Sequence, residues 1–122
     1  MKVNRGDVVV LDYPFSDGSG TKIRPALVVQ SNEKNRRLTS TVVALITRNI
    51  ARADTDPTHL FISLASPEGK QAGLRFDSVV TFTNFYTVHE SLIRHRIGHL
   101  PSNFASQIDA CLKSALGITN AD

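Results

Sequence analysis

Through the first two thirds of the chain, the apolar runs are short, rich in β-branched residues, and cut off by turn formers. G-D-V-V-V-L-D-Y (6–13) stops at Pro14, and F-S-D-G-S-G-T-K follows, which no helix or strand tolerates. Such a pattern leaves strands as the only economical way to bury the valines. R-P-A-L-V-V-Q-S (24–31) is a second strand, so the pair predicts a hairpin with a long, flexible tip. S-T-V-V-A-L-I-T (40–47) lacks clean alternation, which predicts a third strand buried on both faces. H-L-F-I-S-L and S-V-V-T-F-T-N predict a fourth and a fifth. On the fifth, Val79, Thr81 and Thr83 take one face, Val80 and Phe82 the other. Y-T-V-H and R-H-R-I-G-H-L offer short further strands around a helical turn at E-S-L-I. N-E-K-N-R-R, A-R-A-D-T-D-P and S-P-E-G-K-Q-A-G read as polar connections and turns, and the aromatics Phe76, Phe82, Phe85 and Tyr86 as mostly core.

From Ser102 the period changes. Phe104, Ile108, Cys111, Leu112, Ala115 and Leu116 form the stripe of an amphipathic helix, with Ser102 as N-cap and Gly117 just past the C-terminus. The expected architecture is one domain over residues 1–122. It is mostly β, a small antiparallel barrel or strongly bent sheet with a C-terminal α-helix and short helical turns.

Bulk properties exclude more than they select. The single cysteine, Cys111, rules out an internal disulfide framework and suits a reducing compartment. M-K-V-N-R-G-D carries no apolar signal core, and runs such as V-V-V-L are far too short to span a bilayer. A cytoplasmic protein without a membrane segment is expected. A net charge of +3 permits an anionic partner without requiring one.

Of the four histidines, His95 and His99 lie on a strand pattern, so they would not converge as two helical ligands would. No H-E-x-x-H occurs, and one cysteine makes no zinc cluster, so no metal or other cofactor is expected. S-D-G-S-G-T-K fails the phosphate-cradling pattern because Lys22 follows Thr21 and no helix comes next. No serine has a nucleophile-elbow context. What remains is Arg24 at the mouth of the second strand and Thr47 at the end of the third. If these strands are antiparallel neighbours, a guanidinium and a hydroxyl share one rim. An ion pair to Asp12 or Asp77 would account for Arg24 equally well, and ordinary strand propensity for Thr47.

Taken in order, G-D-V-V-V-L-D-Y-P-F, R-P-A-L-V-V, V-V-A-L-I-T, G-L-R-F-D-S-V-V and R-I-G-H-L resemble the MazF/PemK family of toxin endoribonucleases. The resemblance implies an SH3-like barrel, a homodimer, and an antitoxin partner, an acidic and partly disordered peptide. It also implies metal-independent cleavage of single-stranded messenger RNA. Arg24 matches the family's catalytic arginine and Thr47 its catalytic threonine. The segment Phe15–Ile23, with Phe15, Ser16, Asp17, Gly18, Ser19 and Lys22, matches the loop that covers RNA. Arg48 stands where the family often has serine, adding a cation beside the substrate. Thr81 and Thr83 stand where the PemK branch carries an arginine and an aspartate, so the MazF-type site fits better.

The implied chemistry is attack of the RNA 2′-hydroxyl on the adjacent phosphate, giving a 2′,3′-cyclic phosphate and a 5′-hydroxyl. Arg24 keeps its charge and offers planar paired donors to the developing anion. No residue is assigned as general base. Two other readings stay open at this level: a CcdB-like toxin that binds DNA gyrase without catalysis, and a barrel that binds nucleic acid and leaves it intact.

Overall fold

The computed structural model describes residues 1–119. Six strands form one antiparallel sheet: β1 (Asp7–Pro14), β2 (Thr21–Val28), β3 (Ser40–Thr47), β4 (His59–Ile62), β5 (Ser78–His89) and β6 (Ile93–His99). Their order across the sheet is β4-β5-β3-β2-β1-β6. The expected mostly-β architecture is borne out, but the barrel is not closed: β4 and β6 remain edges. The sheet curls because its ladders slip. Ala44 pairs with Phe85 while Leu45 pairs with Thr81, and β1 shifts twice against β6. Such irregularities bend a strand and deepen its twist.

The curl gives the sheet a core on each side. On one side Val8, Leu27, Ala44, Ile46, Val80 and Phe82 meet the helix α3 (Ala105–Leu116) through Ile108 and Cys111. On the other, Val9, Leu11, Tyr13, Ala26, Val28, Val43 and Val88 pack together. β3 contributes to both, as its lack of alternation predicts: Val43 to one cluster, Ala44 and Ile46 to the other.

Several local expectations are corrected. β2 begins at Thr21, not Arg24, because β1 pairs with it down to Pro14↔Thr21. The hairpin tip therefore shrinks to Phe15–Gly20. It is internally bonded, with Phe15 N donating to Gly20 O at 2.8 Å and Gly18 N to Phe15 O at 3.0 Å. Y-T-V-H is the end of β5 and not a separate strand. N-E-K-N-R-R is a helix, α1 (Asn32–Arg37), whose Asn35 side chain is buried and accepts from Thr41 Oγ1 at 2.7 Å. S-P-E-G-K-Q contains α2 (Pro67–Gln71), capped by Ser66 Oγ, which accepts from Gly69 N. Ser102 caps nothing. It opens a 3-10 turn, Ser102–Phe104, that leads into α3. Leu116 points to solvent and drops out of the predicted stripe. Gly117 does end α3: Ile118 N returns to Lys113 O and Gly117 N to Ser114 O, which satisfies two terminal carbonyls.

The segment after α2 packs against β6. A Cβ on Gly73 would collide with the Ile97 carbonyl, and one on Gly98 with the Ala72 backbone. Gly73 also has φ of 74°, which a side chain disfavours. Backbone therefore packs directly on backbone there. The loop Leu74–Asp77 is pinned against β6, beside the open ends of β2 and β3.

Candidate active site

The site begins with a missing hydrogen bond. Val29 N donates to Val42 O at 2.9 Å, on the β3 side of β2. Gly6 N donates to Val28 O at 2.9 Å, on the β1 side. Alternation along an antiparallel strand then turns the backbone groups of residues 27 and 25 toward β3. Residue 25 is proline and has no N–H to give. The β2–β3 pairing accordingly stops at Ala26↔Leu45. Beyond that point β2 stays paired with β1 and β3 with β5, so the two halves of the sheet part company. Extending the same register by two residues sets Arg24 opposite Thr47.

The parting opens a cleft of about 690 Å³ lined by both residues. Its cations are Lys22, Arg24, Arg48 and Arg75, and no carboxylate lines it. Thr47 and Ser78 supply hydroxyls, and Phe76 and Ile97 are among its apolar walls. Four cations on a concave surface focus a positive potential and attract polyanions. Arg24 is half-buried. Neither carboxylate considered for it is its partner. Asp12 is held by Arg94, whose Nη2 reaches both its oxygens at 3.2 and 3.1 Å. Asp77 Oδ1 accepts from Leu64 N at 2.8 Å. Among the described residues no carboxylate lies within ion-pair distance of Arg24. A half-buried guanidinium without a counter-charge is a site waiting for an anion.

Thr47 Oγ1 accepts from Asn49 N at 3.2 Å, which leaves its own O–H free to donate into the cleft. Arg48 stacks on Phe76, with Cζ 4.4 Å from the ring centroid. That corrects the reading of Phe76 as core: it is 51% exposed, whereas Phe82 is fully buried. Phe85 and Tyr86 are half-buried.

The residues matched to an RNA-covering loop divide. Lys22 lies on β2 and lines the cleft with Arg48. Phe15 and Ser16 line a second recess with Tyr13, Thr81, Thr83 and Asn84. Asp17, Gly18 and Ser19 sit exposed at the hairpin tip and line neither. Ser19 N donates to Asp17 Oδ1 at 2.9 Å, and the hydrogen bonds from Ser19 hold the Asp17 carboxyl below its usual range. In the second recess the Tyr13 hydroxyl bonds to Asn84, and burial, then the nearby Tyr86, push its pKa well above that of a free tyrosine.

No histidine lines the cleft. His99 Nδ1 is bound to the buried Asp7 at 2.9 Å, and His59 Nε2 lies 3.5 Å from Asp56. Among the described residues no three His, Cys, Asp or Glu side chains gather as metal ligands. Nor, among them, is any helix long and apolar enough to cross a membrane. Arg75, Phe76 and Ser78 are cleft residues that the sequence reading did not assign to the site. Their signal was the loop G-L-R-F-D-S, where a cation and an aromatic sit between two chain-turning residues.

Comparison with known proteins agrees with this arrangement. Bacillus subtilis (strain 168) endoribonuclease EndoA is 31% identical over 119 residues, 97% of each chain. Staphylococcus epidermidis endoribonuclease MazF is 28% identical, covering 98% of this chain and 96% of its own. A solved endoribonuclease from a mycobacterial species superposes with a TM-score of 0.75 at 21% identity, over 99% of this chain and 97% of that one. A mycobacterial endoribonuclease solved in complex with its cognate antitoxin gives 0.74 at 23%, over 98% and 99%; at these identities the likeness speaks for the fold. The sequence model of PemK-like, MazF-like toxins matches residues 4–116. With that match across nearly all its length, on an open six-stranded sheet split at a cationic cleft, the chain belongs to the PemK-like, MazF-like toxins of type II toxin–antitoxin systems.

Proposed function

We propose that the chain is an endoribonuclease that cuts single-stranded RNA in the Arg24–Thr47 cleft. The observation that carries this is a half-buried arginine without a carboxylate partner, opposite a free hydroxyl, in a cleft lined by four cations and no anion. The curated relatives named as endoribonucleases support the reading.

RNA carries its own nucleophile, a 2′-hydroxyl tethered beside the phosphorus. Held in line, it benefits from proximity worth several kcal/mol. The 2′-oxygen forms a bond to phosphorus as the bond to the 5′-oxygen breaks. The proton of the 2′-hydroxyl goes to solvent, and the departing 5′-oxygen takes one from solvent. The products are a 2′,3′-cyclic phosphate and a 5′-hydroxyl. Arg24 meets the charge that grows on the phosphoryl oxygens with two parallel N–H donors. Thr47 donates a third from a β-branched side chain with few rotamers. Lys22 and Arg75 hold the flanking phosphates. The hairpin tip, with Phe15, Ser16, Asp17, Gly18 and Ser19, is the rim past which the strand leaves. The scheme draws on no metal or other cofactor.

A free ribonuclease of this kind would poison its host. A cognate antitoxin with an acidic peptide segment, lying in the same cleft, would silence it by occupying the phosphate positions. We place the protein in the cytoplasm as a homodimer, where its RNA substrate is. The test is to incubate the pure protein with a long transcript in EDTA and map the cut ends. Discrete sites bearing 5′-hydroxyls are expected. Intact RNA that is bound with a steep salt dependence would mean a passive binder, and neither cleavage nor binding would remove the assignment.

A further inference from the structure

Arg48 and Phe76 have no part in the phosphate chemistry, yet they form the one ordered aromatic–cation stack in the cleft among the described residues. The two come from different elements. Arg48 directly follows Thr47 at the end of β3, and Phe76 sits in the loop pinned to β6 through Gly73. The guanidinium Cζ lies over the Phe76 ring, 4.4 Å from its centroid, in cation–π contact. Both side chains are nonetheless exposed, Phe76 by 51%. Among the described residues no carboxylate lies within ion-pair distance of Arg48. An exposed phenylalanine held in place beneath an unpaired arginine is costly as mere surface, and it presents a flat cationic platform.

Resting on the nuclease reading above, we infer that Arg48 and Phe76 form a nucleobase platform. The base next to the cleaved phosphate stacks on the open face of the Arg48 guanidinium, making a Phe–Arg–base sandwich. Unpaired RNA bases are recognised by stacking on aromatic rings and on arginine planes. A purine overlaps such a plane more than a pyrimidine does, so the platform favours a purine at that one position. Phe76 acts as a positioning residue: it fixes the plane that Arg48 offers.

The test uses oligonucleotides blocked against cleavage by 2′-O-methyl groups, with 2-aminopurine moved along the strand. Stacking quenches its fluorescence. With the wild-type protein and with Arg24→Ala, quenching is expected at one position, flanking the site of cleavage. Phe76→Ala and Arg48→Lys, which keeps the charge and loses the plane, should abolish it. Phe76→Tyr should restore it. In parallel, mapped cuts by Phe76→Ala should lose the purine preference, with KM rising about tenfold and more than kcat falls. Quenching that survives in Phe76→Ala, or an unchanged base preference, overturns the platform. Quenching by a wild-type protein that cuts nothing would uphold the platform and overturn the nuclease reading instead.

Discussion

Arg24 and Thr47 line one cleft from strands that are no longer paired at that point. The register that pairs Ala26 with Leu45 would pair them too, had the ladder continued. It does not continue, because the backbone nitrogen facing Ile46 belongs to Pro25. The proline lies inside β2, where it keeps the sheet open at the point where the cation and the hydroxyl are wanted.

That relationship gives a first prediction. Pro25→Ala supplies an N–H aimed at the Ile46 carbonyl and lets the two strands zip one pair further. RNA cleavage should fall by about ten- to a hundredfold, because small displacements of positioned groups are that costly. Thermal stability should hold or rise. Amide exchange at residue 25, slow if the new bond forms, is the direct check.

The wall of the cleft depends on two glycines. Gly73→Ala forces a side chain into the Ile97 carbonyl at a φ that disfavours it. The cost should be about 2 kcal/mol or more, a fall in melting temperature of roughly 6 °C or more. Gly98→Ala meets the same packing from the other side, against Ala72. The double variant should cost less than the sum of the two, because both disrupt one contact. Calorimetric melting of the two single variants and the double decides it.

Tyr13 ties stability to alkaline pH. Burial, with Tyr86 nearby, raises its pKa in the folded protein above the unfolded value of 10.0. A raised folded pKa contributes stability that is fully present below the unfolded pKa. It is lost as pH climbs beyond that value, because the unfolded chain then ionises first. The urea midpoint should drop from pH 9 upward through pH 11, about as the unfolded tyrosine titrates. Tyr13→Phe should flatten part of that drop, while costing about 1 kcal/mol at neutral pH for the lost bond to Asn84.

No histidine or carboxylate lines the cleft, and that shapes the rate. A histidine acting as base or acid would impress a limb near pH 6.5 on kcat/KM. None is expected here, and His59, His89, His95 and His99, each changed to glutamine, should all keep cleavage within about threefold of wild type. A variant that loses a hundredfold would identify a proton carrier brought in by substrate or by a second copy of the chain.

The strands were legible because their β-branched runs are short and cleanly bounded, and α3 because Ile108 and Cys111 recur at helical spacing. α1 was not. It buries no apolar stripe and is held by the polar contacts of Asn35 with Gln30 and Thr41, which no periodicity announces. α2 did carry a signal, since Ser66 before Pro67 is an N-cap followed by a first-turn proline. Its five residues were too few to outweigh the turn formers around them. Whether the sheet closes depends on strand register, which alternation leaves free to slip. At the site, Arg24 and Thr47 could be read onto one rim from the ends of two strands. The direction in which Pro25 faces could not, because it follows from the parity of a ladder that sequence does not display. Phe76 looked like core because phenylalanine usually is; its exposure and the arginine over its ring show otherwise.

In the proposed reaction the Arg24 guanidinium stabilises the phosphoryl transition state. Single-turnover cleavage of one RNA oligonucleotide in EDTA by wild type and by Arg24→Ala measures that contribution, with circular dichroism and melting recorded on both. The rate should fall about a hundred- to a thousandfold while fold and melting stay unchanged, since no partner is left unpaired by the loss. Cleavage within tenfold of wild type, from a folded Arg24→Ala protein, would contradict it.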